Sequence, residues 1–188
     1  MTLLRPALLF VALAAGCGNG SVHSDADAQK AYLGLDASID KAINLGFDGF
    51  NAASSANIPT EMTTGTVKGT LVVTGQVDLG ASSNKTMRLD TAYTMYSDDG
   101  KVIYDTVSTA LPLLSMDLKN IPSGTLSGTF VGAFTMTGDL HNTVTLNLTF
   151  NGNLMSGGNN TVVRVPGSTH ITGTAVSDYG TYNVDVTR

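Results

Sequence analysis

The chain has one cysteine in 188 residues, no tryptophan, aromatics at 6% and charged side chains at 13%, about half the usual charged share. Each shortage removes a class of chemistry or partner. With Cys17 as its only thiol, an exported domain made from this chain has no intrachain disulfide and must be held by packing. Ten Lys and Arg stand against fifteen Asp and Glu, without a basic cluster, so no nucleic-acid partner is expected. His23, His141 and His170 lie far apart, in no His-x-x-x-His or cysteine-containing cluster, and no zinc site is expected. The close acidic groups Asp98-Asp99 and Asp25-Ala26-Asp27 lack the spacing of a calcium loop with its closing Glu, and read as a turn and a helix cap. No Gly-x-Ser-x-Gly elbow occurs. Gly16, Gly18 and Gly20 precede no strand-to-helix unit, so they are no nucleotide fingerprint. The expected site therefore holds no catalytic residue, no metal and no cofactor. His170, on a strand with Asp178 nearby in sequence, comes closest to a catalytic histidine.

What is present begins with an export signal. Residues 1–16 carry one cation, Arg5, then the apolar run Ala7 to Ala15, and end in small residues. This is the pattern of a secretory signal, too short for a membrane span. Its end, Leu13-Ala14-Ala15-Gly16-Cys17, resembles the lipobox of bacterial lipoproteins. The family usually has Leu three residues before the Cys, where this chain has Ala14 and sets Leu13 one residue earlier. The resemblance covers only the signal. It implies cleavage before Cys17, lipidation at Cys17 and a membrane partner through that lipid, in the bacterial cell envelope. Gly18 stands where an Asp would signal retention at the inner membrane, so the resemblance further implies the outer membrane, on its periplasmic side or at the cell surface. Removal of residues 1–16 leaves 172 residues, room for one domain with a sizeable core, and takes the net charge from −5 to −6 through loss of Arg5. Residues 17–24 read as the lipidated Cys and a tether, and 25–188 as a single domain.

The centre of that domain is the stretch Thr125 to Leu154. Leu126, Phe130, Phe134, Met136 and Leu140, then Val144, Leu146, Leu148, Phe150 and Leu154, all fall at even positions, with Thr, Ser, Asn and Asp at most odd ones. A period of two is the mark of a half-buried strand, and His141-Asn142 supplies the turn of an antiparallel hairpin, packed on one face and wet on the other.

Upstream, Ser24 reads as an N-cap with Asp27 three residues on. Ala28, Tyr32, Leu35, Ile39, Ile43 and Phe47 then recur at helical spacing, opposite Gln29, Lys30, Asp36, Asp40, Lys41, Asn44 and Asp48. This predicts an amphipathic helix from Ala26 to about Leu45, broken there because Gly46 and Gly49, like Gly34, are poor helix residues. Pro59 marks the end of the helical region. Strands are expected over Gly65 to Leu79, Thr86 to Tyr96 and Lys101 to Ala110. In the last two, Tyr93, Met95 and Ile103 point inward about an Asp99-Gly100 turn. Leu111 to Leu118, interrupted by Pro112, reads as an edge or crossing segment, and Ser156 to Asn160 as a loop. Thr161 to Val165, Thr169 to Val176 and Tyr182 to Thr187 complete the sheet. The Gly-Thr openings at Gly65 and Gly124 follow Ile58-Pro59 and Ile121-Pro122; a duplicated half-sheet and simple compositional likeness both account for them.

The fold class is mainly β (α+β): a curved antiparallel sheet or incomplete barrel with one N-terminal amphipathic helix packed on it. The leading function is a non-enzymatic envelope lipoprotein acting by binding or scaffolding, with an envelope protein as its partner. Two alternatives stand beside it: carriage of an apolar small molecule in the concave face of the sheet, and an integral outer-membrane barrel. Tyr93, Tyr96, Tyr104, Tyr179 and Tyr182 either line a ligand mouth or pack as ordinary strand residues.

Overall fold

A computed structural model describes residues 20–78, 81–159 and 161–188. Two helices come first, α1 (Asp25–Leu33) and α2 (Asp36–Ala52). Ten strands follow: β1 (Asn57–Thr64), β2 (Lys68–Asp78), β3 (Lys85–Ser97), β4 (Val102–Asp105), β5 (Leu113–Lys119), β6 (Thr125–Gly138), β7 (Asn142–Gly158), β8 (Thr161–Arg164), β9 (His170–Ser177) and β10 (Gly180–Thr187). The path across the sheet is β1-β2-β3-β4-β6-β7-β9-β10. β5 continues the row of β4 between β3 and β6, and β8 pairs with the far end of β7. Every pairing is antiparallel, and the sheet is not a closed barrel.

The β6–β7 hairpin has the expected parity. Leu126, Phe130, Phe134, Met136, Leu140, Val144, Leu146, Leu148, Phe150 and Leu154 are all buried, while Thr129, Thr135, Thr143, Thr145, Asn147 and Thr149 face outward. Twelve register pairs, from Thr125↔Asn153 to Met136↔Asn142, hold the two strands without a slip. That follows from a buried face, since a one-residue shift would turn every core side chain into water.

The helices cover the buried face. α1 packs against β10, and α2 against β1, β2, β3 and β8, so both edge strands touch the helices and the sheet curls around them. Tyr32, Leu35, Ile39 and Ile43 are at most 1% exposed and share one core with Phe130, Phe134, Leu146 and Leu148. The Tyr32 ring meets Phe150 edge-on at 5.9 Å. Ser24 caps α1: its hydroxyl accepts from the Asp27 N–H at 3.1 Å and donates to the Asp27 carboxylate at 2.7 Å.

Several expectations are corrected. The helix breaks between Leu33 and Asp36 and then runs through Gly46 and Gly49 to Ala52. Close neighbours, which propensity does not count, stand at these glycines. A Cβ at Gly34 would stand 2.3 Å from the Tyr104 hydroxyl, and one at Gly49 would stand 2.8 Å from the Ile58 Cβ, so these glycines admit close neighbours. Pro59 does not merely end the helical region: it lies within β1, an edge strand, where a missing N–H is tolerated. In β3, Met95 is exposed and Tyr96 buried, the reverse of strict alternation, because the register from Lys68↔Ser97 to Thr70↔Thr94 gives β3 one extra residue. Met95 takes φ 49° there, a bulge that resets the parity. Val102 and Tyr104, not Ile103, are the buried residues of β4, which ends at Asp105. β5 is no edge, being paired on both sides. β7 continues to Gly158, where a loop was expected. The two Ile-Pro pairs hold unlike places: Pro59 is in a strand, Pro122 in the β5–β6 turn.

Candidate functional site

Cys17, the expected lipidation residue, lies outside the described residues. From Gly20 onward the chain is fixed to the fold. Ser21 and Val22 are 2% and 1% exposed, the Gly20 carbonyl accepts from the His141 N–H at 2.7 Å, and the Ser177 hydroxyl donates to the Val22 carbonyl at 2.6 Å. Asn142 donates to the Ser21 hydroxyl at 2.8 Å. Of the stretch 17–24 read as a tether, residues 20–24 therefore belong to the packed body, on the end of the sheet that carries the β6–β7 turn.

A buried charge cluster forms where α2 begins. Arg164 ends β8 with 5% of its side chain exposed, and its guanidinium reaches Asp36 Oδ1 at 2.9 Å, both Asp40 oxygens at 3.0 Å and the Asp36 carbonyl at 2.9 Å. Tyr32 donates a short hydrogen bond to Asp36, and Arg188 Nε reaches Asp36 Oδ2 at 3.3 Å. Burial pushes the Asp36 carboxyl up, but the hydrogen bonds and charge of Arg164 outweigh it and hold the group below the usual carboxylate range. Burial raises the Tyr32 phenol well above its ordinary value, and the Asp36 charge adds to this. A cleft of about 470 Å³ opens beside the cluster toward Pro166 and Gly167. One turn along α2, Asn44 binds the backbone of Val162 through both ends of its amide, at 2.9 and 3.0 Å. Asp36, Asp40 and Asn44, read in sequence as the polar side of an amphipathic helix, thus dock α2 onto β8. Arg164 was missed; its signal is a lone cation set in the apolar run Val162-Val163-Arg164-Val165.

A second cluster ties α2 to the opposite side. Lys41 Nζ reaches Asp98 Oδ1 at 2.6 Å, the Thr64 carbonyl at 3.1 Å and the Tyr96 hydroxyl at 3.2 Å. For Asp98, burial is opposed by the Lys41, Tyr96 and Thr66 hydrogen bonds, and the carboxyl falls below its ordinary value. Asp99 accepts from the Lys101 N–H at 2.8 Å and shapes the turn.

The tyrosines divide. Tyr93, Tyr96 and Tyr104 are core residues, their hydroxyls bonded to Ser38, Asp98 and the Ala31 carbonyl, and burial pushes Tyr93 up to about 12. Tyr182 donates to the Tyr179 carbonyl at the β9–β10 turn, so the five line no common mouth. His170 pairs with Asp185 at 2.8 Å rather than with Asp178, in an exposed place. His23 stacks edge-on to Tyr179 at 5.4 Å. Among the described residues, no three His, Cys, Asp or Glu side chains gather to hold a metal ion. No family model, curated protein or solved structure matches the chain.

Proposed function

We propose that this protein is a lipoprotein of the bacterial cell envelope, anchored through Cys17 and acting by binding or scaffolding at the outside of its sheet. The observation that carries the reading is a sole cysteine set directly after Ala14-Ala15-Gly16 at the end of an apolar run. The docked entry segment supports it. Two residues, Gly18 and Asn19, separate Cys17 from Gly20, three steps of at most ~3.6 Å each, so the lipid holds the β6–β7 turn end of the sheet close to the bilayer. Gly18 after the cysteine favours the outer membrane.

The two alternatives fare less well against the same fold. A carrier needs an open concave face, and here Tyr32, Leu35, Ile39 and Ile43 occupy it. A membrane barrel turns its apolar residues toward lipid, whereas the outer face here presents Thr129, Thr149 and Thr172 in one rank across β6, β7 and β9. That hydroxyl-rich outer face is left to meet an envelope partner.

Labelled fatty acid tests the anchor. Wild-type protein expressed in a bacterial host is expected to incorporate label and sediment with membranes, and Cys17→Ala to lose both. Equal labelling of the two proteins would overturn the assignment.

A further inference from the structure

Four turns share the end of the sheet at which the chain enters, and hydrogen bonds join them into one rim. The His141 N–H of the β6–β7 turn donates to the Gly20 carbonyl at 2.7 Å, and the Asp139 N–H donates to the Lys101 carbonyl of the β3–β4 turn at 2.9 Å. The Val67 N–H of the β1–β2 turn donates to the Ser97 carbonyl at the end of β3, at 3.1 Å. On the other side of the entry segment, Ser177 holds Val22 and the His23 ring meets that of Tyr179, in the β9–β10 turn, at 5.4 Å. Two tips of this rim carry large apolar side chains in water: Val67 is 56% exposed and Tyr179 57%. The exposed charges at the four turns balance, Lys68 and Lys101 against Asp99 and Asp178, with Asp139 paired to Lys30 at 3.0 Å.

Single exposed apolar residues are ordinary on a protein surface; what distinguishes these two is where the chain leads. Gly20 is bonded into the same rim and lies three steps from Cys17, so a lipid on Cys17 holds the rim within ~11 Å of the bilayer. At that distance a contact too weak to hold a free protein forms at the high effective concentration of a short tether. A tyrosine ring suits the headgroup level, its apolar body toward the acyl chains and its hydroxyl toward water, and a valine tip adds apolar area at the same boundary. We infer that the rim is a seat on the phospholipid bilayer: Tyr179 and Val67 enter the interfacial layer and fix the domain upright, with the β5–β6 turn at the end away from the membrane. The inference rests on the lipoprotein reading and adds a fixed orientation to it. Because the charges of the rim balance, the seat forms on a neutral bilayer as well as on an anionic one.

The chain has no tryptophan, so one introduced indole reports alone. Tyr179→Trp, Val67→Trp and, at the exposed β5–β6 turn, Ser123→Trp are each made in the acylated full mature chain, with labelled fatty acid confirming the acyl group. The proteins are placed in phosphatidylcholine vesicles with and without brominated acyl chains. Tyr179→Trp and Val67→Trp are expected to shift their emission to the blue and to lose much of it to the brominated lipid, equally when phosphatidylglycerol is added. Ser123→Trp is expected to keep both its wavelength and its intensity. Acylated, vesicle-bound protein whose two tip variants are quenched no more than Ser123→Trp would overturn the seat and leave the anchor standing. Absence of label would overturn the anchor, and the seat with it. A blue shift that grows with concentration in Tyr179→Trp combined with Cys17→Ala, without vesicles, would give the rim to a second copy of this chain and also overturn the seat.

Discussion

Arg164 shows what a single residue does in this fold. Its charge, almost wholly removed from water, is matched by Asp36 and Asp40 from the first turns of α2. Removing one partner of such a pair leaves the other buried without compensation, at a cost of about 3–5 kcal/mol. Arg164→Met is therefore expected to lower the urea unfolding midpoint strongly, with Arg188 left as the remaining cation against Asp36. The pH dependence has a definite sign. In the wild type the folded Asp36 value lies below the unfolded one, so its contribution is fully present above ~3.9 and is lost as pH falls through the folded value. Without Arg164, the burial that raises the carboxyl is opposed only by Tyr32 and Arg188, so the folded value is expected to rise and acid to cost the variant less than the wild type. The stability difference between the two proteins is expected to shrink as pH is lowered from ~5 to ~3. A constant difference across that range would show that Asp36 is not the group held by Arg164.

At the scale of elements, the β6–β7 hairpin makes the sharpest contrast between neighbours. Phe134 is 1% exposed and lies 5.5 Å from the Tyr93 ring and 5.7 Å from that of Phe130; Thr135 points outward. Phe134→Asp loses burial and inserts an unpaired charge, and is expected to destabilise by several kcal/mol, on the order of 3–5 or more. Thr135→Asp is expected to stay within ~1 kcal/mol of wild type. Comparable losses in chemical denaturation would mean that both faces are buried. This hairpin was legible in sequence because one physical cause, burial of a single face, acts on every residue of both strands. The parity failed in β3, where the extra residue at Met95 is a backbone event with no composition of its own. Helix propensity placed the break after Leu45 and not between Leu33 and Asp36; it counts the cost of a glycine and is blind to the neighbours that Gly34 and Gly49 admit. The Arg164 cluster was illegible for a related reason: Asp36, Asp40 and Asn44 have helical spacing whether they meet water or β8, and only the position of β8 decides which.

For the whole molecule, the consequence is a sheet with its concave side already occupied. α1 and α2 touch both edge strands, Lys41 and Arg164 tie α2 to the two sides, and the entry segment is fixed to the β6–β7 turn. Four large helix side chains lie fully in the core, each worth roughly 1.5–3 kcal/mol when buried. Their sum rivals the ~5–15 kcal/mol by which whole domains are stable, so the helices are part of the fold and not a lid upon it. The most direct measurement is thermal and urea unfolding of a chain that begins at Asn57, with binding of a hydrophobic dye followed in parallel. The expected result is no cooperative transition and aggregation or dye binding without saturation. A soluble domain that unfolds cooperatively and binds the dye at a saturable site would contradict the filled core and restore the open carrier.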